Sequence, residues 1–303
     1  MKIAMIGAGA MGSLFGALLA EAGETVTLLD ICTDHVNAVN ANGLVIEKQN
    51  QRRTVQLPAT TDPQHIGPVD LAVVFVKSAH TAAAAQTAAD LAGSSGLVLT
   101  LQNGMGNTEV LAESVDPSRI IAGTTANGAT FLEPGTIRHA GSGETVIGAW
   151  MSTETARAAT LADTFNRAGI VTRVVDDVRA VLWAKLFINI GINAITALTG
   201  IKNGQLLDRP ETRQLAREAV EEAIAVARAK GIAIDGDPVE KVFQIAAATG
   251  PNRSSMGQDV DHRRLTEISA INGFIVRMAE AVGVPTPVNR TLSALVETLQ
   301  GHY

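Results

Sequence analysis

The sequence predicts two domains of different class: an α/β domain with a parallel sheet and added antiparallel strands, followed by an all-α domain. Short apolar strands alternate with helical segments in the first half of the chain. The pattern becomes helical almost throughout after Asp176-Asp177, and 303 residues favour two hydrophobic cores over one. We therefore expect an α/β domain over residues 1–175 and a helical domain over residues 176–303.

A glycine-rich turn follows the first predicted strand, Lys2 to Ile6, and opens a helix that stops at Gly23. The turn consists of Gly7, Ala8, Gly9, Ala10, Met11 and Gly12. In such a turn the first glycine permits tight bending, the second lets the backbone approach a pyrophosphate, and the third allows close helix packing. A second strand, Thr25 to Leu29, then ends at Asp30. This order predicts a Rossmann unit that binds a dinucleotide at the helix N-terminus.

The acidic residue after the second strand bears on the choice of cofactor. Asp30 can accept hydrogen bonds from both hydroxyls of an adenosine ribose, whereas its charge would repel the 2′-phosphate of NADP. Two alternatives stay open: Asp30 caps the next segment, or a basic residue such as Lys48, Arg52 or Arg53 reaches a phosphate. The cofactor is therefore NAD or NADP, and Asp30 favours NAD.

Two further strands end in polar residues. Leu71 to Val76 is followed by Lys77, and Leu97 to Leu101 is followed shortly by Asn103. Because ligands of an open parallel sheet bind at the carboxyl ends of its strands, we expect Lys77 and Asn103 to contact the cofactor. The alternative is that both are ordinary loop residues, since Asn103-Gly104 is also a turn signal.

The remainder of the first domain is predicted from short apolar and alternating runs. Thr136–His139 and Thr145–Ala149 are separated by Gly141-Ser142-Gly143, which predicts a hairpin and hence antiparallel strands. Three more elements complete the domain: strand Ile120–Gly123, a helix from about Thr153 to Ala168, and strand Ile170–Val175.

The second domain contains five predicted helices: Val178–Leu198, Glu211–Lys230, Val239–Ala248, Asp261–Val282 and Val288–Leu299. Asp208 is the expected cap of the second helix, with Pro210 in its first turn and Gly231 beyond its end.

The first of these helices carries a polar stripe. Lys185, Asn189 and Asn193 lie four residues apart among side chains that are almost all apolar. At about 100° per residue, steps of four keep all three on one face, and apolar surface all round predicts a buried helix. Because burying polar groups without partners is costly, the stripe should face polar groups, water or a ligand. The alternative is a lysine that extends to solvent beside two amides bonded to backbone.

Three other polar groups of the second domain have ordinary explanations when each is taken alone. Asn203 lies in a loop, where a turn residue is expected. Ser254 and Ser255 precede a helix that they could cap, in competition with Asp259. Glu267 lies on a predicted helix, where exposure is the usual state of a glutamate.

Composition limits the class of protein. A net charge of −6 without a long basic run argues against nucleic-acid binding. The single cysteine, Cys32, excludes an internal disulfide framework, and six scattered histidines argue against a metal site. We expect a cytoplasmic protein without a membrane partner. Small residues in the helical half serve core packing or a dimer face equally well, so a homodimer stays open.

Taken together, these motifs resemble the ketopantoate reductase family, the 2-dehydropantoate 2-reductases. The resemblance runs from residue 2 to about residue 292. It rests on Gly7 to Gly12, Val76-Lys77, Gln102 to Gly106, Trp183-Ala184-Lys185 with Asn189 and Asn193, Asn203, Ser254-Ser255-Met256, and Thr266-Glu267-Ile268. It implies a Rossmann domain, a helical domain and hydride transfer from NAD(P)H to the keto group of a small-molecule 2-keto acid, giving pantoate for pantothenate synthesis.

The resemblance also implies roles for particular residues. Lys185 would be the proton donor to the substrate carbonyl, and burial would lower its pKa while a nearby Glu267 would counter that shift. The family's substrate ligands match Asn189, Asn193, Asn203 and Ser255, which hold the carboxylate and hydroxyl. Asn103 would touch both cofactor and substrate, and the cofactor side would include Lys77, Ala129 and Glu267. Counting back twelve positions from Glu267 favours Ser255 over Ser254.

One departure from the family leaves the substrate open. Members commonly use NADP and carry a basic residue just after the second strand, whereas this chain has Asp30-Ile31-Cys32. An NAD-dependent D-2-hydroxyacid dehydrogenase acting on other branched 2-keto acids is therefore an alternative. Asn193 and Ser255 would discriminate the two substrates if they bind the 4-hydroxyl.

Two further alternatives concern the class of protein. A non-catalytic dinucleotide-binding redox sensor would have no need of the proton donor Lys185. A β-hydroxyacid dehydrogenase also combines a Rossmann domain with a helical lysine and asparagine, but Gln102-Asn103-Gly104 and Ser254-Ser255-Met256 favour ketopantoate reductase.

Overall fold

The structure, a computed structural model, describes residues 1–49, 51–151 and 155–303. These residues form two units. The first consists of Met1–Gln102 and Asn107–Val178, and the second of Asn103–Gly106 and Arg179–Tyr303. The short segment 103–106 belongs to the helical unit because it is held there: the Met105 amide donates to the carbonyl of Ala270 at 2.9 Å. Gly104 has a φ of +81°, and a Cβ there would lie 2.6 Å from the same carbonyl oxygen.

The first unit alternates strands and helices as its sequence predicts. In chain order it contains β1 (Lys2–Ile6), α1 (Ala10–Glu21), β2 (Thr25–Leu29), α2 (Thr33–Asn42), β3 (Leu44–Lys48), β4 (Gln51–Val55), β5 (Ala59–Thr60), β6 (Leu71–Val74), α3 (Thr81–Ala92), β7 (Leu97–Thr100), α4 (Asn107–Ala112), β8 (Ile120–Thr125), β9 (Gly128–Glu133), β10 (Thr136–Gly141), β11 (Thr145–Ala149), α5 (Ala156–Arg167) and β12 (Thr172–Val174). The predicted start of α5 at Thr153 lies outside the described residues.

Eight strands form the main sheet in the order β12-β11-β8-β7-β6-β1-β2-β5. Every neighbouring pair is parallel except β8 and β11, which are antiparallel. The apolar strands are buried, and Phe15 of α1 packs edge-on against Phe75 and Phe165 at centroid distances of 5.1 and 5.9 Å. Since β1, β2 and β6 are adjacent and parallel, the turn after β1, Asp30 after β2 and Lys77 after β6 lie along one edge of the sheet.

The predicted pairing of Thr136–His139 with Thr145–Ala149 is wrong. The first segment, in β10, pairs with β9 and β3 in a second sheet of order β4-β3-β10-β9. The second segment, β11, pairs with β8 and β12 of the main sheet. The actual hairpin joins β9 to β10 through a turn in which Gly135 has a φ of +79°. An alternating sequence predicts strands but not their partners. The glycines between β10 and β11 are typical of a hairpin turn, but the chain there crosses from the second sheet to the main sheet.

The second unit is built from helices: α6 (Val178–Thr199), α7 (Pro210–Ala229), α8 (Pro238–Ala248), α9 (Ser255–Asp261), α10 (Asn272–Val282) and α11 (Pro287–Gln300). Close packing against α6 requires a glycine, because a Cβ at Gly191 would lie 2.6 Å from the side chain of Val242 in α8 and 3.0 Å from that of Val220 in α7. The carboxylate of Glu222 in α7 accepts from the amides of Val288 and Asn289 at 2.8 and 2.9 Å, so a neighbouring helix satisfies the N-terminus of α11.

Two predictions about these helices are wrong. The expected helix Asp261–Val282 is broken, because Arg263 adopts a φ of +52° and the chain bends before resuming at Asn272. Tertiary contacts stabilise the break: the Thr266 amide donates to Gln300 Oε1 at 3.0 Å. Asp208 does not cap α7, since it has helical backbone angles at the end of a short 3-10 turn and Arg209 occupies the cap position.

By length and composition alone, α6 could span a membrane. In this protein, however, 61% of its most apolar window is buried within the structure. It also carries the polar stripe of Lys185, Asn189 and Asn193. We therefore interpret α6 as the core helix of the second unit.

Candidate functional site

Glycine occupies three positions of the turn after β1 for different physical reasons. Gly7 has a φ of +92°, and a Cβ there would lie 2.7 Å from the Val76 nitrogen. A Cβ at Gly12 would collide with the carbonyl oxygen of Gly7. Gly9 differs, because its backbone angles suit any residue and a Cβ would meet no described atom within 4 Å. Folding therefore requires the outer glycines, whereas the open space at Gly9 would admit an approaching ligand.

The helix that follows presents its N-terminus without a side-chain cap. Gly9 is the N-cap residue of α1, and it cannot supply the side-chain oxygen that normally accepts from the first amides. The first turn contains no acidic residue. An anion at this position would be stabilised by the amides and by the helix dipole. These residues therefore fit the pyrophosphate of a dinucleotide.

A buried histidine beneath this turn was not predicted from sequence. His35 Nδ1 accepts from the Gly135 amide at 3.0 Å, which leaves the proton on Nε2, 3.2 Å from the Ser13 hydroxyl. Ser13 in turn donates to the carbonyl of Ala8 at 2.7 Å. Burial lowers the pKa of His35, and the charge of Asp30 partly counters this. The chain of hydrogen bonds supports the glycine turn from below, and only the fold brings its members together.

Asp30 lies where the sequence predicts, after β2. One carboxylate oxygen accepts from the Cys32 amide at 2.9 Å, so the residue closes a tight turn as well as standing at the sheet edge. Two of the three basic residues considered for a phosphate are engaged elsewhere: Arg52 donates to Glu47 at 2.8 Å and Arg53 to Glu21 at 2.9 Å.

The side chain of Gln102 holds the loop that contains Lys77 in place. Its Nε2 donates to the Val76 carbonyl at 2.7 Å and to the Thr81 hydroxyl at 2.9 Å, while its Oε1 accepts from the Thr100 hydroxyl at 2.9 Å. All hydrogen-bonding atoms of this buried amide are thus used between β6, α3 and β7. Ala129 lies in β9 of the second sheet, opposite His139.

The polar stripe lies on α6, as predicted. Asn193 is 6% exposed, and Lys185 and Asn189 are half-buried. Desolvation by burial lowers the pKa of Lys185 to about 8, and the negative charge of Glu267 acts in the opposite direction. Glu267 is buried at 8% exposure, contrary to the exposure expected of a single glutamate. Its Oε2 accepts from the Asn103 amide at 3.1 Å.

The structure therefore places Lys185, Glu267 and Asn103 in one charged cluster of the helical unit. These residues are separated by up to 164 positions in the chain. An ammonium with a pKa of about 8 is protonated at neutral pH and can release its proton readily, which suits a general acid. The negative charge of the Glu267 carboxylate favours the charged form of the lysine.

Asn203, Ser254 and Ser255 lie at the far end of α6. Asn203 is 8% exposed, and its amide nitrogen Nδ2 donates to the Thr249 hydroxyl at 3.0 Å. Ser254 is the N-cap of α9, where its hydroxyl accepts from the Gly257 amide at 3.0 Å. Ser255 is exposed. The hydroxyl of Ser254 is thus used in folding, which is compatible with Ser255 as the substrate ligand of the pair.

Arg253 ties these loops to α6, a role that sequence reasoning missed. Its guanidinium donates to the carbonyls of Thr196 and Ile201, the latter at 2.9 Å, and pairs with both carboxylate oxygens of Asp261 at 2.9 Å. Carbonyls near the end of a helix have spare acceptor capacity, so this half-buried arginine stabilises the loop that bears Asn203.

A glycine turn suited to a pyrophosphate and a half-buried lysine of lowered pKa define a dinucleotide-dependent oxidoreductase. The chain belongs to the ketopantoate reductase family, because the models of ketopantoate reductase PanE/ApbA and of its C-terminal domain match residues 3–152 and 177–300.

The chain is similar to relatives over its whole length. It is 40% identical over 301 residues to a protein of Halobacterium salinarum named 2-dehydropantoate 2-reductase, with 99% of each chain covered. Among solved structures, a PanE/ApbA family ketopantoate reductase from Ralstonia eutropha has 37% identity and a TM-score of 0.91, covering 100% of this chain and 99% of that one. D-mandelate dehydrogenase with NADH and anilino(oxo)acetate has 28% identity and a TM-score of 0.94 at the same coverage.

Proposed function

We propose that the protein reduces 2-dehydropantoate to pantoate with a nicotinamide dinucleotide, as the names of its relatives suggest. The observation that carries this proposal is the cluster of Lys185, Glu267 and Asn103, in which Lys185 lies on a helix that also bears Asn189 and Asn193. Such a cluster offers an acid for a carbonyl oxygen and uncharged amides for a carboxylate.

The chemistry assigned to Lys185 follows from charge. When bound, the reduced nicotinamide supplies a hydride to the keto carbon of the substrate. Negative charge then grows on the carbonyl oxygen, and the Lys185 ammonium stabilises that charge and transfers a proton from Nζ to the oxygen. The product is the alcohol, and Lys185 is left as a neutral amine. Its pKa of about 8 keeps it protonated at neutral pH without making it a poor donor.

The remaining polar residues bind and orient. We assign Asn189, Asn193, Asn203 and Ser255 to the substrate, because amide and hydroxyl groups together can hold its carboxylate and its hydroxyl without adding negative charge near the reacting carbon. On the cofactor side we assign the turn Gly7–Gly12 to the pyrophosphate. Asp30, Lys77, Asn103, Ala129 and Glu267 complete the cofactor contacts.

Asp30 supports NAD over NADP. Its carboxylate would repel a 2′-phosphate, and both Arg52 and Arg53 are already paired with glutamates. The structural likeness to D-mandelate dehydrogenase with NADH also favours a second candidate function, an NAD-dependent dehydrogenase of other branched 2-keto acids.

The test follows oxidation of NADH and of NADPH, separately, with 2-dehydropantoate and with branched 2-keto acids that lack its hydroxyl. We expect the highest kcat/KM with 2-dehydropantoate and NADH. A higher kcat/KM with an unhydroxylated acid would establish the second candidate instead. If no acid accelerates oxidation of either cofactor, the enzyme assignment fails and a dinucleotide sensor becomes the better interpretation.

The role of Lys185 is tested by Lys185→Met, which keeps most of the apolar stem and removes the ammonium. We expect kcat to fall by about 10²–10⁴-fold, the range typical of a general acid, while NADH binding measured by fluorescence stays within about threefold. Lys230→Met, an exposed lysine of the same unit, is the matched control. Unchanged turnover in Lys185→Met would remove Lys185 from the chemistry.

A further inference from the structure

The side-chain oxygen of Asn203 is buried and has no hydrogen-bond donor among the residues that the structure describes. The rest of the residue is well held. Its backbone amide donates to the carbonyl of Asn252 at 2.9 Å, and its Nδ2 donates to the Thr249 hydroxyl at 3.0 Å. Oδ1 is therefore a buried acceptor without a hydrogen bond, in a residue whose backbone amide and Nδ2 both donate one.

Thr249 determines which way this amide is oriented. The Thr249 hydroxyl lies 2.7 Å from the carbonyl oxygen of Ile245, one turn earlier in α8. A carbonyl oxygen can only accept, so the single hydroxyl proton of Thr249 is used there. Towards Asn203 the hydroxyl can then only accept, and the group facing it must be the NH2 of Asn203. The opposite rotamer of the amide would place two acceptors against each other.

The oriented amide presents an acceptor rather than a donor. A substrate carboxylate has no proton to give and would be repelled by the Asn203 carbonyl oxygen, whereas an alcohol can donate to it. Arg253 binds the carbonyls of Thr196 and Ile201, which holds the Asn203 loop beside the C-terminal part of α6 that bears Asn193. Asn203 is thus held at the end of the stripe proposed to bind the substrate.

We infer that Thr249 is a positioning residue that fixes Asn203 as the acceptor for an alcohol hydroxyl, so that the site selects a hydroxylated 2-keto acid. This rests on the proposed function. A 2-keto acid without the hydroxyl would leave Oδ1 without a donor in the complex, and sites built to hydrogen-bond a hydroxyl discriminate strongly against analogues that lack it.

The experiment compares kcat/KM for 2-dehydropantoate with that for the same acid carrying hydrogen in place of the 4-hydroxyl, and the ratio is the readout. Asn203→Leu removes the acceptor and should lower the ratio by about 10-fold or more, chiefly through the hydroxylated acid. Thr249→Val removes the hydroxyl that accepts from Asn203 and should lower the ratio severalfold. Thr249→Ser keeps that hydroxyl and should give a ratio close to that of the wild-type protein. Thr160→Val, which loses a similar bond to a helix carbonyl in α5, is the matched control.

Asn203→Asp separates hydroxyl from carboxylate recognition, because an aspartate can still accept from an alcohol but repels a carboxylate. We expect it to keep the preference for the hydroxylated acid. Loss of the preference for the hydroxylated acid in Asn203→Asp, or an unchanged ratio in Asn203→Leu, would overturn the inference while leaving the reductase activity established. If the wild-type protein reduces neither acid, the proposed function itself fails, and the inference fails with it. Thermal unfolding of each variant shows whether it is folded.

Discussion

Replacing Glu267 by glutamine should move the alkaline limit of activity to lower pH. The Glu267 carboxylate raises the pKa of Lys185 against the larger effect of desolvation, and the net value is about 8. An opposite charge within a few ångströms shifts a pKa by about 1–3 units, and we take about 1 unit because Lys185 is half-buried. The glutamine side chain would keep an oxygen to accept from Asn103 but would remove the charge.

The magnitude follows from the fraction of Lys185 that carries the proton to be donated. At pH 8 about half of the wild-type lysine is protonated, whereas about one-tenth would be protonated if its pKa fell to about 7. We therefore expect kcat/KM for keto-acid reduction to fall about fivefold at pH 8 and by only about 10% at pH 6. Activity is lost as pH rises through the pKa of Lys185, because the protonated lysine is the active form.

The assay is a pH profile of kcat/KM from pH 5.5 to 9.5, measured through NADH oxidation. Glu280→Gln is the matched control, since Glu280 is an exposed carboxylate of the same unit that pairs with Arg290. A uniform loss at every pH in Glu267→Gln would mean that Glu267 acts by binding rather than through the charge of Lys185. An alkaline limit that stays at pH 8 would refute the electrostatic reasoning.

Three further predictions concern the first unit. Asp30→Ser should improve NADPH relative to NADH by on the order of tenfold in kcat/KM, because one like charge near the 2′-phosphate is removed; an unchanged ratio would exclude Asp30 from cofactor selection. Gly9→Ala should raise the KM for NADH about tenfold and change the free energy of unfolding by less than about 1 kcal/mol, because a Cβ there meets no described atom. Gly12→Ala should lower the free energy of unfolding by roughly 1–3 kcal/mol, because its Cβ would collide with the carbonyl oxygen of Gly7. Equal destabilisation of the two variants in urea would contradict this contrast. His35→Gln should cost roughly 1–3 kcal/mol at pH 7, because the Gly135 amide loses its acceptor. Since the pKa of His35 is lowered in the folded state, wild-type stability should fall as pH drops below about 6.5, and the melting temperature of His35→Gln should depend less on pH.

Features that depend on neighbouring residues were predictable from the sequence. The strand β1, the glycine turn, α1 and β2 follow from a short apolar run, glycines and a second apolar run, all within thirty residues. The stripe of Lys185, Asn189 and Asn193 follows from helical periodicity alone. Even the lowered pKa of Lys185 was expected, because a lysine surrounded by apolar neighbours on a buried helix must lose solvent.

Features that depend on residues distant in the chain were not predictable from the sequence. The pairing of β10 with β3 instead of β11, and the break of the expected helix at Arg263, are decided by contacts with other elements. The orientation of the Asn203 amide is decided by a threonine 46 positions away. Nothing near Asn203 in the sequence records this, because a hydrogen bond depends on where the hydroxyl of Thr249 lies and where its one proton goes.

By itself, the sequence determined the class of each domain, the dinucleotide turn and the helical face that bears the lysine, since these are properties of residues close together in the chain. Tertiary structure alone decided that Glu267 is buried beside Lys185 and hydrogen-bonded to Asn103. The physical reason is that charge and desolvation act through space. A glutamate that the sequence leaves on an ordinary exposed surface becomes, once folded, the charge that raises the proton affinity of the lysine against its desolvation.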